Sequence, residues 1–212
     1  MKTIVCFGDS NTWGYHPGSG QRIPYHMRWT GMLQGLLGDD YLVCEEGMNA
    51  RTTGFDDPAE PGRNGLSYLE ACLLTKMPAD LLIIMLGTND TKIHLGQTAF
   101  SISKCIGQLI AKAQNPMYGS DGRPPEILVV SPIKIGDRIG ESCFGDCFDE
   151  RSVRIAKELA PRYREMAELY GCHYMDAAQA AEPSPIDQLH MDEAGHAMLA
   201  HAFYKRVKEI IG

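Results

Sequence analysis

Residues Leu81-Leu82-Ile83-Ile84-Met85-Leu86 are apolar without a break. A strand that faces water on one side alternates polar and apolar residues. A strand apolar on both sides must be covered on both sides, as the strands of a parallel sheet between helix layers are. Four more β-rich runs, residues 3–7, 41–45, 126–131 and 172–176, bracket this one. Helical patterns separate them over residues 27–37, 66–76, 98–113, 149–170 and 192–211. The last carries Ala194, Ala197, Met198, His201, Ala202 and Val207 at helical spacing. Alternating βα units predict a doubly wound α/β fold, a flavodoxin-like three-layer α/β/α sandwich whose five parallel strands run in the order 2-1-3-4-5. At 212 residues with 44% hydrophobic content, the chain suits one domain, residues 1–212, with a full core, and no linker or repeat divides it.

Bulk properties narrow the function. A net charge of -7 leaves little positive potential to collect phosphates, so no nucleic-acid partner is expected. No apolar run approaches the ~20 residues that span a bilayer. Met1-Lys2-Thr3 leads straight into Ile4-Val5-Cys6-Phe7, too short for a signal-peptide core and followed by no small-residue cleavage site. The seven cysteines are scattered and odd in number, so no disulfide framework is expected. Cys6 and Cys44 sit in strand-like runs as small hydrophobes. Cys143 and Cys147 have neither a second cysteine pair nor a nearby histidine, so no metal site is expected there. A reducing, cytoplasmic location follows, without metal or cofactor.

In this fold, ligands bind beyond the carboxyl ends of the strands, where the strand order reverses. Strand 1 ends in Gly8-Asp9-Ser10 within the stretch GDSNTWG, strand 2 in Glu46-Gly47-Met48-Asn49, and strand 3 in Gly87-Thr88-Asn89-Asp90. The topology therefore brings Ser10, Gly47 and Asn89 to one place. Each also has a plainer reading: Ser10 or Asn11 as a helix N-cap, Gly47 as a turn glycine, the third stretch as strand-to-helix punctuation. Three irregular stretches, residues 14–25, 54–65 and 136–149, are long enough to wall a pocket or form an interface.

A serine hydroxyl needs a base, and the base needs an orienting acid. Of seven histidines, His190 lies just before the final helix at the same edge of the sheet. Asp187, three residues earlier, can reach back across a turn to its Nδ1–H and leave Nε2 free to take a proton. The alternative is a pair of solvated loop residues ahead of a helix capped by Asp192. There is no HExxH for zinc hydrolysis and no GxSxG nucleophile elbow.

GDSNTWG from Gly8, EEGMNAR from Glu45, GTND from Gly87 and DQLH from Asp187 resemble, in order and spacing, the four signature blocks of the SGNH hydrolases, or GDSL-type esterases. EEG-x-x-ARTT and IIMLGTNDTK are similar to the small arylesterase/acyltransferase branch of that family. The resemblance implies Ser10 as nucleophile, His190 and Asp187 as base and acid, and an oxyanion hole from the Ser10 N–H, the Gly47 N–H and the Asn89 amide. It also implies a homo-oligomer. Asn11 departs from the common leucine and bears on substrate preference. Asp9 is expected to anchor the turn through backbone hydrogen bonds.

The resemblance implies a serine esterase acting on short-chain aryl or alkyl esters, with acyl transfer to alcohols as a further outcome. Carbohydrate O-acetyl esters and thioesters are alternatives on the same catalytic set. Asn11, Trp13, Ile135 and Phe144, with Tyr15 and Phe148, are candidates to line the substrate pocket. The rival from another class is a flavodoxin-like phosphate or nucleotide-binding module, with Ser10, Asn11 and Thr12 at a helix N-terminus. Asp9 would then lie beside the phosphate, with no basic residue in that loop.

Overall fold

A computed structural model describes residues 1–212. Strands β1 (Lys2–Gly8), β2 (Tyr41–Gly47), β3 (Leu81–Met85), β4 (Glu126–Ser131) and β5 (His173–Asp176) form one sheet in the order β2-β1-β3-β4-β5. All four pairings are parallel, with Cys6 opposite Glu45 on one side and Ile83 on the other. The helices are α1 (Ser10–Trp13), α2 (Trp29–Leu37), α3 (Gly65–Lys76), α4 (Ala99–Ala113), α5 (Glu150–Tyr170) and α6 (Glu193–Ile211).

The two-residue period of the strands divides the core into two layers. Val5, Phe7, Leu82, Ile84 and Val129 pack with Leu73, Ile106 and Leu159 from α3, α4 and α5. Their neighbours Ile4, Cys6, Ile83, Met85 and Leu128 pack with Leu33, Leu199 and Phe203 from α2 and α6. This is why the run at Leu81 carries no polar residue. Chain direction reverses between β1 and β3: β1 leads outward to β2, and every later crossover runs the other way. The flavodoxin-like order is thus present, and the crevice at the reversal is the expected ligand position.

Differences from the sequence-based boundaries are local. Thr98, Asp149 and Asp192, expected as helical, are N-caps whose side chains accept backbone N–H groups of the first turn. The second helix begins at Trp29, because Arg28 is extended (φ -79°, ψ 149°) after a single 3₁₀ turn over Tyr25–Met27. The four-residue α1 is too short to leave a periodic pattern. No helix is long and apolar enough to cross a membrane.

Candidate active site

β1 runs directly into α1, and two glycines make the close turn possible. A Cβ on Gly8 would lie 2.0 Å from Thr12 Oγ1, and one on Gly47 would lie 2.2 Å from the Trp13 nitrogen. Asp9 caps α1 by accepting the Asn11 N–H at 3.0 Å, which is the anchoring role expected of it. Burial pushes the Asp9 carboxyl up to about 6, against the pull of that hydrogen bond. Arg51, wholly buried, ties the ends of β1 and β2 by donating to the carbonyls of Gly8 (2.8 Å) and Glu46. Its guanidinium lies over the rings of Phe7 and Tyr68, at 4.3 and 5.2 Å from their centroids. Nothing in the sequence spacing marks this role.

Ser10 is the first residue of α1, so its N–H has no partner within the helix. Its Oγ stands 2.9 Å from His190 Nε2, and His190 Nδ1 stands 2.7 Å from Asp187 Oδ2. A carboxylate only accepts, so Nδ1 carries the proton and Nε2 accepts from the serine hydroxyl. The other oxygen of Asp187 accepts the N–H groups of Leu189 (3.0 Å) and His190 (2.9 Å). Burial pushes the Asp187 carboxyl up, but the His190 ring and these N–H groups outweigh it and hold it below the ordinary carboxylate range.

Ser10 and His190 open into a pocket of about 420 Å³, which Asn89 and Ala50 also line. Asn89 donates one amide hydrogen to the Arg51 carbonyl at 3.1 Å, and the amide has a second hydrogen to offer. Gly47 does not reach the pocket. Met48 N–H donates to Gly8 C=O, so Gly8 is the bonding member of its pair with Gly47. In a parallel ladder the Gly47 N–H then points away from β1, toward the open edge of the sheet. The residue at the pocket is Ala50. It holds a left-handed backbone (φ 62°), unusual for a residue with a Cβ, and its N–H has no acceptor in the protein.

The long loops supply the walls. Tyr15 stacks on the His190 ring at 4.1 Å, and Phe144 meets the same ring edge-on at 5.3 Å. Phe148 completes this aromatic side. The polar side consists of Glu60, Arg63 and Lys92. Lys92, nearly buried, donates to Asp57 Oδ2 at 2.9 Å and to Glu60, and His94 Nε2 meets the other Asp57 oxygen at 2.9 Å. Burial raises the Asp57 carboxyl, but Lys92 and His94 reverse this and bring it down to about 2.

Three of the expected pocket residues lie elsewhere. Trp13 is stacked under the Arg22 guanidinium, which also donates to its carbonyl at 2.8 Å, and it does not line the pocket. Ile135 is buried in a small cluster with Ile139, Phe148 and Val153. The Asn11 side chain is turned inward onto the backbone on either side of His190.

With this geometry in place, the comparisons with known proteins are specific. Residues 6–198 match the GDSL-like Lipase/Acylhydrolase family, and the chain belongs to that family. It is similar over its whole length to an aryl esterase from M. smegmatis, at 36% identity and a TM-score of 0.93, with all of both chains covered. A carbohydrate acetylesterase from Sinorhizobium meliloti is 34% identical with a TM-score of 0.90, again over all of both chains. An acetylxylan esterase from Xylanibacter ruminicola is 27% identical across 97% of this chain, which spans only 43% of that protein's length. A phosphate-binding module is disfavoured by this membership and by the Asp9 carboxylate at the start of α1.

Proposed function

We propose that the protein is a serine esterase that hydrolyses short-chain carboxylic esters through an acyl-serine intermediate on Ser10. The observation that carries this reading is the unbroken chain from Ser10 Oγ through His190 to Asp187, at 2.9 and 2.7 Å, opening into a pocket. His190 Nε2 takes the hydroxyl proton as Oγ attacks the ester carbonyl, and Asp187 holds the ring and stabilises the imidazolium. The carbonyl oxygen becomes an oxyanion facing donors that need no rearrangement. We assign these as the Ser10 N–H, the Asn89 amide and, in place of Gly47, the Ala50 N–H. Collapse of the intermediate passes the proton from His190 to the departing alcohol. Water, or an acceptor alcohol in acyl transfer, then repeats the sequence on the acyl-serine.

A second reading of the substrate, a carbohydrate O-acetyl ester, is favoured by the polar wall. An aromatic side at Tyr15, Phe144 and Phe148 suits a small acyl group. Glu60, Arg63 and Lys92 offer donors and acceptors to a hydroxylated alcohol. The carbohydrate acetylesterase and acetylxylan esterase relatives support the same reading. Thioesters fit the chemistry but gain nothing from that wall. We further propose a single catalytic domain over residues 1–212, acting as a cytoplasmic homo-oligomer. Seven unpaired cysteines support a reducing location, and exposed Leu42 on edge strand β2, with Leu74 and Met77 on and just after α3, supports assembly.

A serine-directed aryl phosphonate tests the reading. The expected result is one covalent adduct, placed on Ser10 by mass spectrometry, with loss of aryl acetate hydrolysis. An adduct on Ser67 or Ser131 would overturn it. Rates on a panel of acyl chain lengths and sugar acetates then separate the two substrate readings.

A further inference from the structure

Asn11 follows the nucleophile in the chain, yet its side chain points toward the other end of the sequence. Its Nδ2 donates to the Leu189 carbonyl at 3.3 Å, and its Oδ1 accepts the Met191 N–H at 3.0 Å. These two groups flank His190. A carboxamide bonded to the carbonyl before a residue and the N–H after it does what a paired strand does for that residue: it fixes the backbone and so the direction of the side chain. Apart from the Ser10–His190 contact itself, these are the only hydrogen bonds between α1 and residues 184–191. The loop's other backbone ties run to Gly136 and within the loop, between Ser184 and Gln188 or His190. Asn11 is 4% exposed, so no water can replace its amide without rearrangement. Its own N–H is held by Asp9 Oδ1.

We propose that Asn11 is a positioning residue that sets the distance and angle between Ser10 and His190. The proposal rests on the reading of Ser10 and His190 as nucleophile and base. Asparagine departs here from the family's common leucine, a side chain with no hydrogen bond to offer the loop. A side chain in this role acts on the proton-transfer step and leaves substrate binding alone.

The test compares Asn11→Ala, Asn11→Leu and Asn11→Asp with the native protein and with Ser10→Ala, in aryl acetate hydrolysis and in phosphonate inactivation. Leucine restores bulk without hydrogen bonds. Aspartate keeps size and the acceptor for Met191, and serves where the alanine variant does not fold. The expected result is a kcat lower by about 10–10²-fold with KM within about twofold, the loss that follows a small misplacement of reacting groups. Phosphonate inactivation should slow by a similar factor. A purely structural asparagine would lower the melting temperature while folded variants kept native kcat and inactivation rate, and that outcome overturns the proposal. A rise in KM at constant kcat also overturns it, since Asn11 would then act on substrate. If Ser10→Ala itself stays active, the site reading has failed, and the failure is distinct from that of the clamp.

Discussion

His190 and His196 stand six residues apart, one before α6 and one in its first turn, and both are buried. Their surroundings differ completely. His190 has a carboxylate on one nitrogen and a hydroxyl on the other. His196 accepts the Trp29 backbone N–H on Nδ1 at 3.3 Å, and its Nε2 has no partner. Burial pushes His196 down to about 4, and the Asp192 carboxylate only partly opposes it. An imidazole that meets a donor where it would need an acceptor stays neutral and inert. Burial alone therefore does not make a catalytic base. His190, the proposed base, differs in having an acid behind the ring and a hydroxyl in front of it.

Removing either end of that arrangement has the largest expected effect. Ser10→Ala and His190→Ala should each lower kcat by about 10⁶-fold, because the two act as one unit. Circular dichroism should show the native fold. Asp187→Asn keeps an acceptor for the backbone N–H groups of the loop but frees the ring to take the other tautomer. Its kcat should fall by up to ~10⁴. An Asp187→Asn enzyme with the native rate would reduce the site to a serine–histidine pair. Asn89→Ala should cost about 10²–10³ in kcat with little change in KM, since its donor matters most in the transition state. A large KM rise at constant kcat would instead make Asn89 a ground-state ligand.

The smallest effect sharpens the comparison from the other side. His196→Gln should leave kcat and KM unchanged and alter only the pH dependence of stability. In the folded protein His196 titrates at about 4, below the ~6.5 of an unfolded chain. Between those values the unfolded state binds more protons. Stability contributed by the neutral ring is present above pH ~6.5 and is lost as pH falls toward 4, by on the order of 3 kcal/mol. Asp9 and Asp90, both raised by burial to about 6, work in the opposite sense, favouring the fold as they take up protons at lower pH. The measurement is therefore the difference between variant and native melting temperatures from pH 7 to 4.5. Equal slopes would show that His196 does not titrate as its surroundings dictate.

Much of this is written in local pattern. The unbroken apolar run at Leu81 announces a doubly covered strand, and strand order then brings Ser10 and Asn89 together. The three-residue spacing from Asp187 to His190 is a single turn, so the pair can be read without coordinates. What escapes the sequence depends on backbone angles or on distant partners. The resemblance implies an oxyanion role for Gly47, at the end of strand 2. That glycine is required because α1 presses against it, while the left-handed residue at the pocket is Ala50, which sits inside the EEG-x-x-ARTT stretch but whose backbone angle the sequence does not reveal. Asn11 looks like a pocket residue until its partners, 178 and 180 positions away, are known. The aromatic Trp13 is taken by Arg22, and the Lys92–Asp57–His94 network joins residues with no common motif.

Ser10 and His190 are separated by 180 positions, and their contact has a kinetic meaning. Closing so long a loop is slow compared with forming helices or pairing neighbouring strands. During refolding, helical signal and the pairing of β1 with β2 can return while Ser10 is still apart from His190. On the proposed mechanism, turnover resumes only when the segment before α6 docks on α1. The time course of regained hydrolysis thus dates that docking event, and a partly folded population contributes nothing to the rate.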